Sequence, residues 1–339
     1  VAKIAPVKLG TFFKYLAILC RPKRMVLLME LDSYRLWHRF SAFSKGIQAS
    51  AVGSPAAIFI FRRNIHRLEK GLSRQDIKPC FAEAYILETV KSMRNPILYE
   101  HQNIETLIWG KCVLDEYFSQ VNHTQVVREA FREYSHLSVP NRADGKSPQP
   151  LKNKKLHSCS YDDFYKVCQS RKSVRDYKPE KVRHSDIQKA IAAAIFSPSA
   201  CNRQTFKFLF FDDQKLVSKI TQIPGGVKGY TIPNLIVIMA DYAGFTDKKD
   251  FNTPLIDASL ASMSLLLALE SLGISSVCIN WPAVNENERQ VRKLIHIKET
   301  EFIVMLVGLG YPSEHAKVPF SSKRSIQSML LVNDRVLES

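Results

Sequence analysis

Residues 206–241 read FKFLFFDDQKLVSKITQIPGGVKGYTIPNLIVIMAD, and this stretch decides the fold class. Phe206–Phe211 and Asn234–Ala240 are apolar runs of strand length, and the second is continuous enough to be buried. Between them Leu216–Ile223 reads as a short helix. Working outward, a helix is expected at Tyr161–Ser170, then the segment Arg171–Tyr177, then a helix from near His184 to Ala194 with Ser185 or Asp186 as its cap. Downstream, Asp257–Leu272 is a long apolar helix ended by Gly273, and Ser276–Asn280 and Phe302–Val307 are strands with the helix Glu286–Leu294 between them. Strands alternating with helices predict an α/β or α+β domain, and the assignment adopted is α+β, a central sheet flanked by helices.

The first half of the chain has a different pattern. Residues 11–40 read as two short amphipathic helices broken at Pro22, and Ala51–Phe61 is an apolar stretch marked by Gly and Pro. In Arg62–Leu72 the spacing places Arg63, His66, Arg67 and Lys70 on one helical face. Lys78–Arg94 and Ile104–Leu137 also carry helical spacing. Residues 138–158 are polar and rich in Pro, Lys and Asn, the composition of a linker. The expected organisation is a basic, mainly helical region over 1–137, a linker over 138–160 and a second domain over 161–339.

Bulk properties narrow the classes. The 339 residues are 45% hydrophobic and 24% charged, which excludes disorder as the main state. The seven cysteines (Cys20, Cys80, Cys112, Cys159, Cys168, Cys201, Cys278) are scattered with no C-x-x-C pair, which argues against a disulfide scaffold and against zinc, so no metal is expected. Apolar runs such as Ala51–Phe61 and Leu260–Leu269 are shorter than the roughly 20 residues of a membrane span, and no signal peptide is read at the start. A cytoplasmic protein is expected, with the aromatic and basic stretch Phe12–Phe40 offering peripheral contact with an anionic membrane as an alternative. The net charge is +16; residues 1–160 hold 25 Lys+Arg against 13 Asp+Glu, and the remainder 23 against 19. Such a field favours an anionic partner: nucleotide, phosphorylated small molecule, anionic lipid or nucleic acid.

Three constellations can carry chemistry. Arg171-Lys172-Ser173-Val174-Arg175 puts Arg171, Ser173 and Arg175 on one side of an extended segment, as a phosphate monoester requires. Ser197-Pro198-Ser199-Ala200-Cys201-Asn202-Arg203-Gln204 gathers hydroxyls and amides ahead of a strand, and Asn and Gln can donate and accept toward a flat heterocycle. Gly308-Leu309-Gly310-Tyr311-Pro312 offers two glycines for close backbone approach to a ligand, with Lys323 and Arg324 downstream to complete a phosphate site. Each also has an ordinary reading as a solvated turn or loop.

Taken together and in this order, RKSVRDY, SPSACNRQTFKF, NLIVIMAD, DASLASMSLLLALESLGI, GLGYP and KRS resemble the nitroreductase family of FMN-dependent oxidoreductases over about residues 161–326. The resemblance implies that Arg171, Ser173 and Arg175 hold the flavin phosphate and ribityl chain. It implies that Ser199, Asn202 and Gln204, with Ser197 and Pro198 beside them, reach flavin from the partner subunit of a homodimer. It implies that Lys323 or Arg324 closes on the phosphate, that the helix Asp257–Leu272 is buried between subunits, and that NAD(P)H is the electron donor. The segment after that helix, often glycine-rich in the family, reads Ser276-Val277-Cys278-Ile279-Asn280-Trp281-Pro282 here. That departure leaves the backbone donor to the flavin open among Cys278, Ile279 and Asn280.

In such a protein the cofactor carries the chemistry and no side chain must act as a general acid, so no catalytic residue is assigned. Cys201 and Cys278 read better as small hydrophobes than as redox nucleophiles. The basic face Arg63, His66, Arg67 and Lys70 reads either as a solvated surface or as part of a lid that recognises an anionic or phosphorylated substrate. Two classes compete with the oxidoreductase. One is a non-catalytic flavin-binding or interaction protein, in which the Cys278–Trp281 stretch blocks nicotinamide. The other is a nucleic-acid binder, which the charge favours but no recognition motif supports.

Overall fold

The computed structural model of the chain describes residues 39–49, 56–140, 146–149, 159–282 and 284–333. The helices expected within 11–38, the start of the Ala51–Phe61 stretch and most of the 138–158 linker lie outside these residues.

A four-stranded antiparallel sheet organises the second half: β1 Phe206–Phe211, β2 Asn234–Asp241, β3 Ser275–Asn280 and β4 Glu301–Gly310, in the order β1-β2-β4-β3. Every residue of β2 is buried, which is why NLIVIMAD shows no polar alternation. The two faces of β2 divide with period two. Ile236, Ile238 and Ala240 pack with helices α7 (His184–Ala194) and α9 (Thr253–Ser271), while Leu235, Val237 and Met239 pack with Val217 and Ile220 of α8 (Gln214–Gln222). The domain is α+β, as the alternation of elements predicts.

Element boundaries moved for local reasons. α9 starts at Thr253 because Pro254 is tolerated in a first turn, where its missing N–H has no intrahelical role. Ser185 and Asp186 lie inside the first turn of α7 and do not cap it; Asp186 pairs with Arg183 at 2.8 Å and Lys189 at 3.0 Å. β4 runs on through Gly308 and Gly310. The last helix before it, α10, spans Asn285–Arg292. Lys248–Ser271, which contains α9, is the one helical stretch among the described residues long and apolar enough to cross a membrane. Run length alone does not detect it. Its Ala258, Ala261, Leu265 and Leu269 lie in the core with β2, which gives that apolarity a use inside the fold.

The first half has its own core. Phe61, Ile65 and Leu68 of α2 (Ala57–Leu72) pack with Ile86 and Val90 of α3 (Ile86–Ser92), Leu107 and Leu114 of α4 (Ile104–Gln120), and Val127 and Ala130 of α5 (Gln125–Ser135). Two expected continuous helices are shorter or divided. Over 78–85 the left-handed Ala82 (φ 66°) interrupts the chain, so α3 begins at Ile86. In 104–137 Val121 turns extended, and Thr124 caps a new helix by accepting from the Val127 N–H. A helical run over 39–49, α1, packs on the sheet side: Arg39 donates to the Tyr242 hydroxyl at 3.0 Å, and Phe43 meets the Tyr242 ring edge-on.

Candidate functional site

The segment after α6 (Tyr161–Ser170) lies along the open edge of β3. The Val174 N–H donates to Ser276 O at 3.1 Å, and the Lys178 N–H donates to Tyr311 O at 2.8 Å. The buried Tyr177 hydroxyl donates its one proton to Val174 O at 2.6 Å, with Gly308 O as the alternative acceptor at 3.3 Å, and burial pushes its pKa up, so it remains a donor. Val174 and Tyr177 thus pin the segment, while Arg171, Ser173 and Arg175 stay half-buried beside it. Among the described residues Arg171, Lys172 and Arg175 have no carboxylate partner; Arg175 makes only a long bond to Ser173 O at 3.4 Å. Three cations without carboxylate partners along one strand edge have the chemistry to hold an anion.

The same edge answers which of Cys278, Ile279 and Asn280 can donate. Ser276 O faces Val174 rather than β4, so by the alternation of an antiparallel pair the Cys278 and Asn280 backbone groups also face the open edge. Ile279 is interior, packed in the core that holds Trp281, and its backbone faces β4. The Cys278 thiol reaches solvent, yet the protein packed around it pushes its pKa up against the opposing field of Arg171. A neutral thiol agrees with the hydrophobe reading.

Gly308 and Gly310 need a correction. A Cβ on Gly310 would sit 2.6 Å from Pro233 Cγ and 3.0 Å from Tyr177 Cδ1, and one on Gly308 would sit 3.0 Å from Ile232 Cγ2. Both glycines serve close packing of protein on protein, and the room expected for a ligand is filled by side chains.

The loop Ser197–Gln204 sits between α7 and β1. The Ser197 hydroxyl bonds Ser264 of α9 at 2.7 Å and is buried, so it anchors the loop. The Ala200 N–H donates to both carboxylate oxygens of Asp257 at 3.0 and 3.1 Å, and the Gln204 N–H to Ser199 Oγ at 3.2 Å. Burial pushes Asp257 up to about 6, opposed by the Ala200 N–H and by Arg203. Cys201, Asn202 and Gln204 are left-handed, with φ of 52°, 50° and 53°. Among the described residues the Asn202 carboxamide has no hydrogen-bond partner, whereas Gln204 uses its amide to donate to Ile195 O at 3.0 Å. Pro198 is exposed, as is Phe196, at 89%.

One chain does not bring the two motifs together. Ser173 pairs with Ser276 beyond β3, whereas Gln204 precedes β1 on the opposite edge and at the opposite end, as the registers Ser276↔Leu309, Asn234↔Leu309 and Phe206↔Ala240 show. With strands about 4.8 Å apart and about 3.3 Å per residue, the diagonal is on the order of 25 Å. Lys323 and Arg324 are exposed in the C-terminal segment, where Arg324 donates to Ser328 O at 2.9 Å.

The predicted basic face is only partly free. His66 pairs with Glu69 at 3.3 Å, and the Arg67 guanidinium lies 3.8 Å from the centre of the Tyr85 ring. Arg63 feels Arg203 and Asp247, and Lys70 is exposed. The residue that sequence reasoning missed is their neighbour Arg62. Its Nε donates to Asn202 O at 3.0 Å, Nη2 to Gln204 Oε1 at 2.8 Å and Nη1 to Thr106 Oγ1 at 2.8 Å. Its guanidinium lies 5.2 Å from the Trp109 ring centre, and burial pushes it down to about 10, with Glu69 opposing. The Arg62-Arg63 doublet beside the apolar side of the helix was the available signal.

An antiparallel sheet between helices, with cations along one edge and a polar, left-handed loop at the far corner, defines the class of this domain. The sequence model of the nitroreductase family matches residues 168–225 and 228–311. An Archaeoglobus fulgidus protein named for NADH dehydrogenase/NAD(P)H nitroreductase is 30% identical over 156 residues, covering 45% of this chain and 87% of that one. The iodotyrosine deiodinase of Thermotoga neapolitana is 28% identical, covering 44% and 89%. A Bacteroides fragilis nitroreductase solved with bound FMN is 20% identical with a TM-score of 0.41, covering 50% and 98%. The chain belongs to the nitroreductase family.

Proposed function

We propose that the protein is an FMN-dependent NAD(P)H oxidoreductase that works as a homodimer, each flavin held between Arg171, Ser173 and Arg175 of one protomer and Ser199 and Asn202 of its partner. The observation that carries this is the β3 edge: Arg171, Lys172 and Arg175 lack carboxylate partners among the described residues, next to the outward Cys278 N–H. A flavin phosphate supplies the missing negative charge there. The name of the Archaeoglobus relative points the same way, to an NAD(P)H nitroreductase. FMN, when bound, supplies two-electron transfer between a reduced nicotinamide and a second substrate.

The chain's own residues bind and orient. Arg171 and Arg175 neutralise the phosphate, with Lys323 or Arg324 completing the cluster. Ser173 offers a hydroxyl to the ribityl chain, and the Cys278 N–H can donate to the ring edge. The Asn202 carboxamide, without a partner among the described residues of its own chain, is free for a neighbouring molecule. A second copy is supported by the distance between the motifs and by an apolar stripe, Ile256, Leu260 and Met263, exposed on α9 beside Phe196. The blocked-site alternative is weakened, since Trp281 is buried and donates to Glu288 at 3.0 Å instead of lying across the edge. The basic face of α2 supports an anionic acceptor.

The test is the absorbance spectrum of protein purified without added cofactor, with the released chromophore identified by mass. Stoichiometric FMN, reduced anaerobically by NADH or NADPH, is expected; a colourless protein that also refuses added FMN refutes the reading. Reoxidation by a nitroarene and by iodotyrosine then compares the acceptors named by the two kinds of relative. Co-expressed Arg175→Ala and Asn202→Ala chains should recover activity that neither variant has alone. Recovery no better than either parent refutes the shared site.

A further inference from the structure

The turn from Ser199 to Gln204 is unusual in needing support from outside its own half of the chain. Three of its residues, Cys201, Asn202 and Gln204, hold left-handed backbone, which Asn adopts readily but which costs Cys and Gln energy that surrounding contacts must offset. Two supports come from nearby: Asp257 takes the Ala200 N–H, and Ile195 O takes the Gln204 amide. The third is Arg62, which reaches across from α2 and takes a backbone oxygen and a side-chain oxygen of the same turn with two arms of one planar guanidinium. Its remaining arm is fixed inside the helical region by Thr106, and its face rests on Trp109. A fork held at one end by a packed helix bundle sets the distance and angle of whatever it grips at the other.

We propose that Arg62 is the positioning residue of the flavin loop: the helical first half of the chain, through this guanidinium, holds Gln204 away from the ligand and leaves Asn202 as the side chain that meets it. The inference rests on the flavin reading above. It corrects the role expected for Gln204, whose oxygen and amide are both committed within the protein. It also gives the first half of the chain a second task besides any contact with substrate.

The test uses the full-length chain with Arg62→Lys and Arg62→Ala. Lysine keeps the charge and loses the fork, so it should rescue only partly. Two readouts are taken: amide exchange of the 199–205 segment in the protein stripped of flavin, and the Kd for FMN by fluorescence quenching. Both variants should speed exchange in 199–205 at least tenfold with β2 protection unchanged, and weaken FMN at least fivefold, alanine more than lysine. Gln204→Met breaks one of the same bonds from the loop side and should move both readouts in the same direction if an Arg62 variant does not fold. Wild-type exchange in 199–205 and wild-type FMN affinity in a folded variant overturn the proposal and leave the flavin reading intact. A wild-type chain that takes up no FMN overturns both.

Discussion

Replacing Asp257 by asparagine isolates the electrostatics of the loop anchor. Burial holds this carboxyl at about 6 in the folded chain, where an ordinary Asp titrates at 3.8. The folded state therefore binds its proton more tightly than the unfolded state does. The contribution of this group is most favourable below pH 4, declines as pH rises from about 4 to 6, and is flat above that. At 1.36 kcal/mol per tenfold, the full difference is about 3 kcal/mol, and relaxation and water penetration around the buried charge reduce it to about 1–2 kcal/mol. The asparagine amide would keep an oxygen for the Ala200 N–H and carry no charge. Denaturant unfolding of Asp257→Asn and wild type should thus coincide near pH 4 and diverge by about 1–2 kcal/mol in favour of the variant at pH 7–8. Comparing the two chains at each pH removes the other titrating groups from the difference. A variant less stable than wild type at pH 8 would refute the reasoning. It would mean that the Ala200 N–H and Arg203 outweigh burial and that the carboxylate stabilises the loop as an anion.

Three further outcomes are expected. Gly310→Ala should destabilise the fold by about 1–3 kcal/mol, because its methyl meets Pro233 Cγ at 2.6 Å, and Gly308→Ala should cost less, since its nearest neighbour, Ile232 Cγ2, stands farther off at 3.0 Å; equal melting temperatures for Gly310→Ala and wild type would return that glycine to the ligand. Arg67→Ala should raise KM for an anionic acceptor severalfold with bound flavin unchanged, whereas equal loss of flavin would remove the lid reading. Cys278→Ala should retain at least half of kcat, since the thiol is held neutral and its backbone N–H survives the change; loss beyond a hundredfold would make the thiol a participant.

The second half of the chain was legible because its signals are local. The continuous run of β2 follows from burial of every one of its residues, α9 shows in its unbroken apolar length, and Tyr161–Ser170, His184–Ala194 and Phe206–Phe211 have the bounds that spacing predicts. In the first half, Ala82 and the Val121–Thr124 break depend on backbone conformations that side-chain periodicity does not encode. The motif residues divide in the same way. Arg171, Ser173 and Arg175 lie on one strand edge because period two is a property of the segment itself. The glycines of GLGYP misled because a small residue marks close approach without naming what approaches. Here it is Tyr177 and Pro233, brought in by the tertiary fold.

Arg62 was marked in the sequence only by the Arg62-Arg63 doublet, since its partners come from the tertiary fold, and its position bears on what the first half of the chain does. Helical geometry places Arg67 about 140° around α2 from Arg62, so the two proposed roles fall on different sides of one helix and can be tested separately. One face grips Asn202 and Gln204; the other carries Arg67 on Tyr85, with Lys70 exposed. A lid that only recognised substrate would need no bond to the loop backbone, and a brace that only held the loop would need no exposed cations. The two roles predict opposite patterns: Arg62→Lys weakens flavin and loosens 199–205, while Arg67→Ala leaves both and changes KM for the acceptor. If the two variants instead moved the same quantity together, α2 would act on the site as one rigid body, and the division of its faces would have no functional meaning.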